Sequence, residues 1–169
     1  KLHVKTSAGT SWWVGVINQG HMMPYHGSDQ VDLNLFAHPE GNQVQPLLLS
    51  DQGDVIWCDY PPAVSFRNGE VLVDANGKAV HIKAGSSLKE AYEFASMNYF
   101  PPSGKTPDLA LISAPQYNTW IELVYDQNQE DILSYARAIL EHGYPQGVLM
   151  IDDNWQEDYG KWEFHPARF

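Results

Sequence analysis

The sequence predicts a mainly β fold: an N-terminal β-sandwich followed by an incomplete (β/α) barrel segment consisting of one βαβ unit. Three observations lead there. Short apolar or alternating runs separated by turn residues fill positions 11–84. Helical periodicity enters first at Ser87. A strand, helix, strand pattern then occupies 117–151.

The strand candidates, in order, are "SWWVGVIN" (11–18), "VDLNLFA" (31–37), "VQPLLLS" (44–50), "DVIWCD" (54–59), "AVSFR" (63–67), "EVLVDA" (70–75) and "AVHIKA" (79–84). Between them stand "SDQGD", "YPP", "RNG" and "ANGK", the residues that turns require. Both Asn-Gly pairs predict hairpins, because Asn and Gly tolerate the positive φ of a tight turn. Such spacing suits a sandwich. "SLKE" then reads as a capping box, with Ser87 three residues before Glu90. Leu88, Ala91, Tyr92 and Ala95 are expected on one face of the helix that follows. The Pro-rich "FPPSGKTPD" (100–108) ends it.

Beyond this connector, "YNTWIELVY" (117–125) predicts a strand. A helix carrying Ile132, Leu133, Ala136, Ile139 and Leu140 follows, stopped by Gly143 and Pro145. "GVLMI" (147–151) predicts a second strand, parallel to the first. The expected domains are therefore 1–100 (sandwich with a trailing helix), 101–116 (linker) and 117–169 (the opening βαβ part of a barrel). A full barrel takes about 250 residues, so the barrel is expected to be cut after its second strand. Its open edges would favour self-association.

Composition narrows the function. The chain carries a net charge of −11 with ten unclustered Lys and Arg residues, which disfavours nucleic acid and a polybasic membrane anchor. No apolar run approaches a membrane span. Cys58 is the single cysteine, so neither an internal disulfide nor a cysteine zinc site is expected. The histidines are scattered without metal-ligand spacing, and neither a metal nor any other cofactor is expected. Six Trp and nine Tyr suit a sugar site as well as a core. The compartment stays open, with a periplasmic or secreted location set before a cytoplasmic one.

In parallel α/β folds, site residues gather past the carboxyl ends of the strands. Asp152, Asp153 and Trp155 follow the second strand directly. Asp152 and Asp153 are candidate sugar ligands, the alternative being solvated acids at the start of a loop. Trp155 and Trp120 are candidate platforms for a pyranose face, or packing residues. Glu122 alternates with Trp120 in the predicted strand, and is either a substrate contact or a buried structural acid.

The same residues resemble glycoside hydrolase family 31, the retaining α-glycosidases, over nearly the whole chain. "QPLLLSDQGDVIWCD" (45–59) is similar to the family's "PFxxSxxGYGxxxD" hairpin in its N-terminal sandwich, with Asp54 in place of the usual tyrosine. "IDDNWQEDYGKWEFHPARF" (151–169) is similar to the "I/LDDxWQxxYGxxxFxPxRF" signature of one subgroup, on the second barrel strand. The resemblance implies that Asp152 holds hydroxyls of the sugar ring being cleaved. Asn154 stands where the family has a second aspartate, and Asp153 has no assigned counterpart. The family's nucleophile and acid/base lie on later strands, so no catalytic residue is expected in this chain. The implied activity is hydrolysis of α-linked sugars, α-glucoside or α-galactoside, by a full-length enzyme of which this chain is an inactive part. The alternative is a non-catalytic carbohydrate-binding sandwich module.

Overall fold

A computed structural model describes residues 1–36 and 43–169. The ends of two expected elements, "VDLNLFA" at Ala37 and the amide-rich "EGNQVQP" (40–46) at its first residues, lie outside them. The chain divides into two compact units, Lys1–Ser103 and Gly104–Phe169.

The first unit is built from two antiparallel sheets. Its strands are β1 (Leu2–Lys5), β2 (Ser11–Trp13), β3 (Tyr25–His26), β4 (Val31–Asn34), β5 (Leu47–Ser50), β6 (Asp54–Cys58), β7 (Ala63–Arg67), β8 (Glu70–Asp74) and β9 (Ala79–Lys83). One sheet runs in the order β1-β8-β7-β4, the other β3-β2-β5-β6-β9. Alternation sends Val4, Val64, Phe66, Val71 and Val73 of the first sheet, with Trp12, Leu48, Ile56 and Cys58 of the second, into one shared core. Phe66 and Trp12 are fully buried. Burying a side chain such as Phe66 contributes about 1.5–3 kcal/mol, and the Trp12 indole N–H is satisfied by Thr6 Oγ1 at 3.0 Å.

Two of these strands escape the sequence pattern. β1 exposes His3 and Lys5 around a buried Val4, and β3 has only two residues, too few to show a period. "SWWVGVIN" yields strand only at Ser11–Trp13, because Ile17–Met22 coils into a 3-10 turn. The two Asn-Gly pairs part company. Asn68 and Gly69 take φ values of 54° and 76° and close the β7–β8 hairpin, with Arg67 opposite Glu70. Asn76-Gly77 closes no hairpin, because β8 and β9 belong to different sheets.

α1 (Leu88–Tyr99) starts as the capping box predicts: Ser87 Oγ accepts from the Glu90 N–H. The Glu90 carboxylate accepts from the Ser86 N–H and the Ser87 hydroxyl, and these donors hold its pKa below the ordinary carboxylate range. Ala91 and Ala95 pack with Val55, Leu47, Leu49 and Ile82, covering the face of the second sheet that points away from the shared core. Tyr92, expected on that face, is exposed. Phe94 and Tyr99 pack there instead, and Tyr99 stacks on Trp57 at 4.3 Å.

The second unit contains α2 (Ala110–Ser113), β10 (Gln116–Asn118), α3 (Trp120–Leu123), α4 (Gln129–Glu141) and β11 (Val148–Met150). The segment expected as a plain linker to residue 116 thus holds a helical turn and the first residue of β10. β10 and β11 pair in parallel, with Gln116 opposite Val148 and Asn118 opposite Met150. α4 is the crossover. Asn128 caps its start by accepting from the Asp131 N–H. Gly143, at φ 76°, ends it: the Tyr144 N–H reaches the Ile139 carbonyl and the Gly143 N–H that of Leu140. Of its expected apolar face Ile132 is buried, whereas Leu133 and Leu140 are exposed.

Candidate functional site

The site residues cluster just beyond the carboxyl ends of β10 and β11. The predicted strand at 117–125 breaks off at Asn118, for a local reason. The Asn118 side-chain oxygen accepts from the Trp120 N–H at 2.7 Å, an Asx turn, and the Thr119 carbonyl accepts from the N–H groups of Glu122 and Leu123. The chain therefore winds into α3. Trp120 and Glu122 do not share a strand face, since residues two apart on a helical turn point in different directions. Glu122 is exposed on α3, and the buried acid expected at this place is not found. Trp120 is half-buried and meets Tyr125 edge-on at 5.0 Å.

Below the turn lies a buried polar pair. Thr119 and Gln127 are both fully buried. The Thr119 hydroxyl donates to Gln127 Oε1 at 2.6 Å, and Gln127 Nε2 donates to the Val124 carbonyl at 2.9 Å. Val124 sits at φ 50°, costly for a β-branched residue, and this anchor helps hold it there.

Asp152 is half-buried and faces β10. Its Oδ2 accepts from Asn118 Nδ2 at 2.6 Å, and its backbone N–H donates to the Thr119 hydroxyl oxygen at 3.3 Å. Asp153, in the turn that follows, has other partners. Its Oδ1 accepts from the Asn154 N–H at 2.8 Å and from the Tyr159 phenol at 2.7 Å. Asn154 takes φ 64°, a left-handed geometry that asparagine tolerates, and it bends the chain into the next segment.

That segment is a small hairpin. Gln156 bridges Phe164, the Glu157 N–H reaches the Glu163 carbonyl, and the His165 N–H reaches the Trp155 carbonyl. Trp155 is half-buried, with Trp162 at 5.6 Å and Phe164 at 5.5 Å. Lys161 pairs with Glu157 and Glu163, which draws the Glu157 carboxyl below its ordinary range and raises the Lys161 ammonium. The Arg168 carbonyl accepts from the Gln129 N–H at the start of α4.

Asp152, Asp153 and Trp155 thus follow β11 in close succession but turn to different partners, Asn118, Tyr159 and the Trp162–Phe164 pair, and Trp120 stands just past the end of β10. Sequence reasoning passed over Asn118, Thr119, Gln127 and Tyr159. The Asn-Thr pair was the readable signal, because both residue types favour turns over continued strand. Two hollows of about 310 and 390 Å³ are lined by Tyr117 of β10 and Ile139 of α4, and Asp152 lines neither. Among the described residues no group of three or more His, Cys, Asp or Glu could hold a metal ion. Among the same residues no helix is long and apolar enough to cross a membrane.

No family model matches the chain. The myogenesis-regulating glycosidase of Mus musculus is 25% identical to it over 85 residues, which make up 50% of this chain and 12% of that protein. This likeness supports a relationship to a glycosidase and nothing finer.

Proposed function

We propose that the chain is the N-terminal part of a retaining α-glycosidase of family 31, acting on α-glucosides or α-galactosides. One observation carries the reading. Asp152, in the "IDDNWQ" stretch that resembles the family's signature, lies past the end of a parallel strand with one carboxylate oxygen left over for a ligand. A carboxylate there accepts charge-assisted hydrogen bonds from sugar hydroxyls. Trp155, three residues further on, is the aromatic residue that would supply a platform for the ring. In the whole enzyme Asp152 would orient the ring, while two other carboxyl groups about 5–5.5 Å apart perform the double displacement. Those two groups have no match in this chain, and no cofactor is needed.

The test is titration of the purified chain with methyl α-D-glucopyranoside and methyl α-D-galactopyranoside, followed by two-dimensional NMR. Shifts at Asp152 and Trp155, absent in Asp152→Asn, are the expected result, with no hydrolysis of aryl α-glycosides. Shifts confined to residues 1–100 would instead favour a carbohydrate-binding sandwich module. Turnover by the chain alone would overturn the assignment of the catalytic groups.

A further inference from the structure

We infer that Asn118 is a positioning residue for Asp152, and that the two act as one amide–carboxylate unit. The inference rests on the carbohydrate reading of Asp152. Its starting point is that the Asn118 amide can be oriented without ambiguity. One end accepts from the Trp120 N–H at 2.7 Å, so that end is the oxygen. The other end is therefore the NH₂ group, and it points at Asp152 Oδ2 from 2.6 Å.

This donor occupies Oδ2 and leaves Oδ1 as the oxygen available to a ligand. The main chain of Asp152 is gripped as well, through its N–H to the Thr119 hydroxyl. That hydroxyl is itself fixed by the buried Gln127 amide. Two consecutive residues at the end of β10 thus hold both the side chain and the backbone of one residue beyond β11. A ligand that binds Asp152 meets a carboxylate whose rotamer freedom has already been removed, which is how preorganisation strengthens binding.

Asn118→Asp is the informative variant. It keeps an oxygen for the Trp120 N–H, so the turn at the end of β10 survives, but it replaces the donor to Asp152 with a second carboxylate. Neutral-pH binding of methyl α-pyranoside should weaken by about tenfold or more, the scale of one hydrogen bond to a charged group. Binding should recover as the pH is lowered, once the new carboxyl takes up a proton it can donate. Asp153 and Tyr159, the ionisable pair in the segment after β11, are bonded to each other, and the wild-type chain measured in parallel accounts for them and for every other ionisable group. Asn118→Ala should weaken binding similarly without the recovery.

Equal binding by wild type and Asn118→Asp at neutral pH, or a loss with no recovery at low pH, would overturn the role of Asn118. In that case loss of binding in Asp152→Asn would still leave the carbohydrate reading standing. A wild-type chain that binds neither pyranoside would sink both.

Discussion

Tyr159 donates its phenol to Asp153 Oδ1 at 2.7 Å, so of two adjacent aspartates one closes a loop while the other faces β10. The hydrogen bond, followed by burial and the Asp153 charge, raises the phenol above its ordinary range. A raised folded-state value means that the bond contributes stability below the ordinary phenol pKa and is lost as pH rises through the folded value. In Asp153→Asn the Tyr159 phenol should therefore ionise at lower pH. Tyrosinate absorbance titration of the two proteins reads this, and superimposable curves would remove the contact.

Asp54 should make the stability of the first unit depend on pH. Its side chain is 13% exposed, and burial alone pushes the carboxyl up. Hydrogen bonds from Ser50, His81 and Lys83, with the Lys83 charge, outweigh that and bring it below 3.8. The stabilisation is thus present above about 3.8 and fades as pH falls through the lowered folded value. Asp54→Asn should cost about 2 kcal/mol at neutral pH, the range for hydrogen bonds to a charged group. Urea unfolding at neutral and strongly acidic pH should show the difference shrinking in acid.

Cys58 should be inert in the folded chain. It is fully buried, and burial, with a smaller push from Asp59, raises the thiol from 9.0 to about 11. That leaves roughly a hundredth of the thiolate of an ordinary cysteine at mildly alkaline pH. An aromatic disulfide reagent should react promptly only after denaturant is added.

Thr119→Val should destabilise the second unit by about 1–3 kcal/mol, the penalty for leaving a buried amide such as Gln127 without its donor. Thermal unfolding would measure it, and loss of amide-exchange protection at Asp152 should accompany it.

How far the sequence could be read depends on where the organising forces act. Strands that alternate between a shared core and an outer layer, such as Ala63–Arg67, announced themselves to the residue, as did the cap at Ser87. The parallel pairing around α4 was legible too, because Gly143 and Pro145 mark where the helix must stop. The end of β10 was not. Apolar residues at Trp120, Ile121 and Leu123 suggested more strand, while the deciding interactions were two local polar ones, at Asn118 and Thr119. The partner of Asp152 was hidden for a different reason: Asn118 lies 34 positions away, and only the register of β10 against β11 brings them together.

That register gives the four residues between Gly147 and Asp152 a duty beyond pairing. The Val148 N–H bonds to the Pro115 carbonyl at 3.1 Å, and a Cβ on Gly147 would lie 2.1 Å from the same oxygen. Gly147 is therefore a fixed starting mark from which the count to Asp152 begins. Delete one residue between Gly147 and Asp152, and each later side chain changes face. Asp153 would then arrive opposite Asn118 in place of Asp152, whereas an insertion would bring Ile151 there. β11 with Ile151 is in this respect a ruler, one whose length decides which of two identical acids is presented to a ligand.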